Sequence, residues 1–222
     1  MNAQKKKKMI EAIEKNGCLL VYPIKNAKTP KSLWYELYPR TEMVWEWGED
    51  GDSRVAELWH SREVLSRSQE VVYAKWYQAR ATFFSINVYT NLLAFLGTSR
   101  HEASLPKSSQ EALDSLLIDS PQSTKLLKEN LGLQGRLLES HYNKALKPLW
   151  EKLYIVGFGE TEDSSFPSLN MAASETLFEE CWLKSQKINP MVARQELERT
   201  LGGDNPFMKF ADKVFHKKMK PN

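Results

Sequence analysis

A chain of 222 residues with 41% hydrophobic and 27% charged residues can bury the core of one large or two small domains, and its composition excludes a disordered polymer. No apolar run reaches the roughly 18 residues of a membrane span and the start lacks a signal-peptide segment, so no membrane association is expected and the expected compartment is the cytoplasm. The net charge of +3 is unevenly spread: residues 1–100 hold 15 Lys/Arg against 11 Asp/Glu (+4), residues 101–180 hold 7 against 13 (−6) and residues 181–222 hold 9 against 4 (+5), so the middle is the part least suited to a polyanion.

In chain order, residues 5–16 read as a helix with Met9, Ile10 and Ile13 on one side, closed by Gly17. An apolar run at 18–22 ends at Pro23, residues 25–31 have loop chemistry, and 32–38 read as a short helix stopped by Pro39. Residues 48–53 predict a turn. After it, Asp52 or Ser53 caps a helix reaching about Ser68, with Val55, Leu58, Trp59 and Leu65 as its apolar stripe. Segments 71–77 and 81–85 are rich in β-branched and aromatic residues and predict a hairpin across Gln78, Ala79 and Arg80, followed by a helix over 86–96 that ends at Gly97. Three helices and a hairpin are the order of a winged helix.

The same order recurs after Arg100 without a repeated sequence: a helix at 108–118, a turn at Pro121, a helix at 123–130 and a third helix from about Arg136. Helical spacing turns Leu138, Tyr142, Ala145, Leu146 and Leu149 of this third helix inward, and Arg136, Ser140, Asn143 and Lys147 outward. Pro148 should kink it or end it at Lys147. Strands at 153–159 and 166–171, joined by a polar tip at 160–165, predict a second wing. Helices at 174–186, 190–201 and 206–216 follow, and a lysine-rich end at 217–222 is expected to be mobile. The expected class is mainly α with short β-hairpins (α+β). Tandem winged-helix-like units at 1–100 and 101–175 precede a C-terminal helical extension with a basic tail at 176–222.

Three stretches, SLWYELYPRTEMVWEWGEDGDSRVAELWH, SREVLSRSQEVVYAKWYQARATFFS and STKLLKENLGLQGRLLESHYNKAL with the wing and FPSL that follow, resemble the AlkZ-related proteins. These are relatives of the bacterial winged-helix DNA glycosylases that remove alkylated bases, and the likeness covers most of the chain. The resemblance implies a DNA-repair-like protein. It also implies a place for the signature of the true glycosylases, Gln-x-Asp or Gln-x-Gln just before a proline. At that place stand Leu20, Val21, Tyr22 and Pro23, and neither polar position offers a water-holding amide or a carboxylate.

A glycosylase must flip its base and stabilise positive charge on the sugar, usually with a carboxylate. Trp45, Glu46, Trp47, Glu49, Asp50 and Asp52 combine stacking surfaces with acids, and Arg62 follows on the next helix. Tyr22, Trp45, Trp47 and Arg62 are therefore pocket candidates, with Glu46, Asp50 and Asp52 the candidate catalytic acids. The structural alternative is a turn, a cap at Asp52 and an ion pair between Arg62 and one acid. Candidate phosphate or groove contacts are Lys5, Lys6, Lys7 and Lys8; Lys75, Tyr77, Gln78 and Arg80 around the first hairpin; and Arg136, Asn143, Lys144 and Lys147 as a recognition-helix set.

Residues 1–100 also hold five of the seven tryptophans and six of the eight tyrosines, a mixture suited to base stacking, although Trp34, Trp59 and Trp76 read as core. The acidic second unit equally suits a protein partner. Cys18 and Cys181 are isolated, and His60, His101, His141 and His216 are scattered, so no disulfide framework, metal or cofactor is expected. DNA is the expected partner. The alternatives are an active glycosylase using a different carboxylate and a noncatalytic protein-interaction or regulatory module.

Overall fold

The computed structural model describes residues 1–45, 52–101, 104–161 and 167–217. Helix α1 (Ala3–Asn16) starts at Asn2, whose side chain accepts from the Lys5 N–H, and stops at Gly17 with φ 72°. Strand β1 (Cys18–Leu20) leads to α2 (Leu33–Leu37), which is capped by Ser32. Asp52 caps α3 (Ser53–Arg67) by accepting from the Arg54 N–H. Strands β2 (Val72–Ala74) and β3 (Thr82–Phe84) form the expected hairpin, and Ser85 caps α4 (Ile86–Phe95).

Beyond residue 104 come α5 (Lys107–Ile118), β4 (Gln122–Ser123), α6 (Thr124–Asn130) and α7 (Glu139–Glu151). Strands β5 (Ile155–Thr161) and β6 (Ser168–Ala173) make the second hairpin. The chain closes with α8 (Ser174–Leu177), α9 (Glu179–Gln186), α10 (Pro190–Leu201) and α11 (Pro206–His216). The class is the expected one, mainly α with short antiparallel hairpins, with 59% of the described residues helical. Among the described residues no helix is long and apolar enough to cross a membrane.

The six strands form one sheet in the order β1-β3-β2-β5-β6-β4, and one core cluster runs from Met9 to Val214. The two hairpins meet where Tyr73 pairs with Gly157. Gly157 is required by this approach, because a Cβ there would stand 2.3 Å from a ring carbon of Tyr73, itself 1% exposed. Gly157→Ala should therefore overpack the seam and cost about 1–3 kcal/mol. A urea titration measures this cost, and an unchanged midpoint would show the seam to be loose.

Two expectations need correction. Pro148 does not end the third helix of the second half: α7 continues to Glu151. The missing Pro148 N–H is offset by burial of Leu149 and Trp150 in the last turn, and the Trp76 indole N–H donates to the terminal Glu151 carbonyl at 3.0 Å. The stretch 174–186 is two helices, because Phe178 leaves the helical region (φ −121°, ψ 49°) to bury its ring 5.5 Å from Tyr89. The expected turn at 48–51, the second wing tip at 162–165 and the chain end at 218–222 lie outside the described residues.

Candidate nucleic-acid interface

Three distant segments wall a cleft of about 620 Å³. The first is the end of β2 and the 3₁₀ turn Tyr77–Ala79, where Gln78 (φ 51°) and Ala79 (φ 60°) adopt left-handed backbone. Lys75, Gln78 and Ala79 line the cleft from here, while Trp76 and Tyr77 are buried. The second is α11. Its Phe207 and Phe210 each sit 5.2 Å from the Tyr77 ring, and Phe210 meets Trp76 edge-on at 4.9 Å. This docking presents Phe210 and Lys213 to the cleft.

The third segment is α7, whose helical repeat puts Glu139, Tyr142, Asn143, Leu146, Lys147, Trp150 and Glu151 on one wall. Tyr142, Leu146 and Trp150 make an apolar floor. The phenol of Tyr142 lies 3.9 Å from the Met171 sulfur, and burial holds its pKa above the usual tyrosine value.

The charges in this cleft do not cancel. Glu139 is held by Lys128 at 2.5 Å, with that ammonium also 4.8 Å from the Tyr142 ring centroid, and Glu151 is held by Lys217 at 2.5 Å. Lys75, Lys147 and Lys213 make no ion pair among the described residues, so the cleft keeps three uncompensated lysines beside two side-chain amides. Water reaches Lys75 through the cleft mouth, yet the surrounding walls strip enough hydration to lower its pKa. Arg62 adds to that lowering, Glu139 opposes it, and Lys128 adds a smaller push downward. The arrangement suits an anionic ligand with a flat apolar part.

The AlkZ-related family matches residues 3–216, from the first turn of α1 to the end of α11. The chain belongs to the AlkZ-related family. No curated protein and no solved structure matches it.

In this AlkZ-related chain the run from Leu20 to Tyr22 turns inward. Leu20 and Val21 are fully buried, and the Tyr22 hydroxyl donates to the Val55 carbonyl at 2.8 Å. Burial raises the Tyr22 pKa, with the Arg62 cation opposing in part. Trp45 packs edge-on against Tyr22 at 5.0 Å and remains 47% exposed. Arg62 is 4% exposed: it pairs with Glu160, donates to the Tyr73 hydroxyl at 3.1 Å and lies 3.9 Å from the Trp59 ring centroid. Its acid therefore comes from β5. Trp34 and Trp76 are core as expected, whereas Trp59 is half-buried under this guanidinium.

Glu46, Trp47, Glu49 and Asp50 lie outside the described residues. Asp52 caps α3, and both its oxygens take Arg54, whose guanidinium lies 5.3 Å from the Tyr38 ring centroid. The Arg54 hydrogen bond holds the Asp52 carboxyl below its ordinary value of 3.8, against a smaller desolvation that raises it. A carboxyl held low in the folded state stabilises the fold above the unfolded pKa, and that contribution is lost as pH falls through the folded value. Asp52→Ala should then cost about 1 kcal/mol at pH 7, with the difference from the unaltered protein narrowing below pH 3.8. Urea midpoints across that range test it; equal midpoints at pH 7 would contradict the cap.

The remaining candidates scatter. Lys5 is tied to Glu57 and Lys6 to Glu70 at 2.6 Å, and Lys7 lies 3.9 Å from Glu11, whereas Lys8 is exposed without an ion pair among the described residues. Tyr77 is no hairpin-tip probe: its ring is 7% exposed beneath α11. Arg80 and Lys144 are exposed but off the cleft. Arg136 sits in a 3₁₀ turn (Arg136–Leu138) before α7, separated from the Asn143 and Lys147 face, and Leu138 of that turn is half-buried. Thus Lys75, Gln78, Asn143 and Lys147 come together. Phe210, Lys213 and Trp150 join them without having been singled out, although the repeat of Phe207 and Phe210 before Lys213 is an amphipathic signal.

Proposed function

We propose that this AlkZ-related protein is DNA-associated, built on two winged-helix-like units at 1–100 and 101–175, and that it binds DNA at the cleft without cleaving glycosidic bonds. The observation that carries the reading is the convergence of Lys75, Lys147 and Lys213, unpaired among the described residues, with Gln78 and Asn143 over an apolar floor. Lysines without acid partners release counterions when they neutralise phosphates, and amides can hydrogen-bond base edges. The reading without excision is supported by the inward-turned Leu20–Tyr22 run, which offers neither an amide nor a carboxylate side chain, and by the double engagement of Asp52 as cap and Arg54 partner.

The test is binding to duplex DNA across a salt series. The reading requires measurable affinity at about 50 mM salt that weakens steeply as salt rises. Negligible binding, or binding indifferent to salt, would sink it. Incubation with alkylated or crosslinked duplexes should yield no abasic sites; their appearance would favour an active glycosylase with another carboxylate.

A second reading has its own support. Leu137 is 92% and Ile118 87% exposed within the segment of net −6, which suits an apolar and basic protein partner for the second unit.

A further inference from the structure

Resting on the DNA reading, we propose that the cleft seats one unpaired nucleotide of the strand, its base against Phe210 and Trp150 and its flanking phosphates on Lys75, Lys147 and Lys213. The cleft is made for less than a duplex. A space of about 620 Å³ walled by three segments lies in the range of small-molecule sites, whereas a paired duplex keeps its bases stacked inside and offers mainly phosphates to a concave surface. Phosphates alone would engage the lysines and leave the apolar floor unfilled. A base swung out of the stack fills it.

The rings that would take the base are fixed before any ligand arrives. Phe210 of α11 is half-buried, held edge-on to Trp76 at 4.9 Å and tilted against Tyr77 at 5.2 Å, and what remains of its ring lines the cleft. Trp150 of α7 is 7% exposed and lines the cleft beside Leu146. Every base has a π-face to stack on such rings, and the amides of Gln78 and Asn143, each both donor and acceptor, suit the edge of the base. The two acids on the wall offer the phosphates little repulsion, because Lys128 holds Glu139 and Lys217 holds Glu151, both at 2.5 Å.

This seat is separate from the place of the glycosylase signature: neither the run from Leu20 to Tyr22 nor Arg62 lines the cleft. Seating a base here breaks no covalent bond. An unpaired base is also the cheapest to extrude, since the pairing it would lose is already absent. The same unit of base, sugar and phosphate exists as a free nucleoside monophosphate, but that ligand brings one phosphate to three lysines.

The experiment uses the full chain and three ligands: a duplex with a single bulged 2-aminopurine nucleotide, a fully paired duplex of matched length, and free deoxyadenosine monophosphate. The bulged duplex should bind more than about fivefold tighter than the paired one, the least that a base stacked on an aromatic ring contributes, and its 2-aminopurine fluorescence should be quenched on binding. Phe210→Leu keeps an apolar side chain against Trp76 and Tyr77 but removes the ring, and Asn143→Ala, at an exposed position of α7, removes a partner for the base edge. Each should lower the ratio of the two affinities by more than about twofold. Neither alters the net charge, so the paired duplex is the reference in each variant. Equal affinity for bulged and paired duplexes overturns the inference and leaves the DNA reading intact. So does a preference that both variants keep in full, since it would come from the bend at a bulge. Tighter binding of the free monophosphate than of the bulged duplex keeps the seat and removes the DNA reading. No binding of any of the three removes both.

Discussion

Replacing Lys75, Lys147 and Lys213 together with glutamine should flatten the salt dependence of duplex binding, lowering the slope of log K against log salt by about 2.7 for three lost phosphate contacts. Between 50 and 200 mM salt the unaltered protein would then lose about 40-fold more affinity than the variant, because a fourfold salt change acts through that extra slope. Glutamine keeps polarity and similar bulk, and none of the three lysines holds an ion pair among the described residues, so the fold should be little affected. A matched triple replacement of Lys15, Lys184 and Lys187, all exposed and outside the cleft, separates site-specific loss from loss of net charge. The slope should move far more for the cleft set. Equal slopes for both sets would mean that DNA is held by diffuse charge and not by the cleft.

Arg62→Ala should be the most damaging single change to the fold, at about 3–5 kcal/mol. The guanidinium is 5% and its Glu160 partner 12% exposed at the side chain, so truncation leaves a carboxylate desolvated and unpaired. It also removes the cation between Trp59 and Tyr73 and frees the Tyr73 hydroxyl. For a chain of this length that loss lowers Tm by about 6–20 °C. The double variant Arg62→Met with Glu160→Gln should recover most of the loss, since replacing a buried pair as a unit avoids the orphaned charge. Thermal unfolding of both variants decides the matter. A double variant no more stable than Arg62→Ala would mean that the ion pair itself, and not the cost of orphaning a charge, holds α3 to β5.

The outcome at Arg62 also illustrates what spacing can reveal. Local chemistry was readable: Gly17 ends α1, Asp52 caps α3, and Phe83 and Phe84 pair back on Tyr73 and Val72 because each is decided within a few residues. The partner of Arg62 was not readable, because Glu160 lies 98 residues away and reaches it only after β5 packs on α3. Pro148 misleads for the same reason. Its intrinsic penalty is local, while the burial of Trp150 and the bond from Trp76 that outweigh it are tertiary.

Four of the cleft residues, Lys75, Gln78, Asn143 and Lys147, were legible as polar groups on a hairpin and a helix. Their meeting was not legible, nor was the part played by α11, because the cleft joins residues from 75 to 213. Tyr77 fails as a contact because composition cannot distinguish a tip aromatic that faces solvent from one that anchors a later helix.

Reactivity of individual lysine amines toward an acylating reagent, with and without saturating duplex DNA, tests the cleft assignment most directly. In the free protein Lys75, Lys147 and Lys213 should all react, since each side chain is exposed. DNA should then protect Lys75, Lys147 and Lys213 while Lys184 and Lys187 remain as reactive as before. Protection confined to Lys7 and Lys8, with the three cleft lysines as reactive in the complex as in the free protein, would contradict the account.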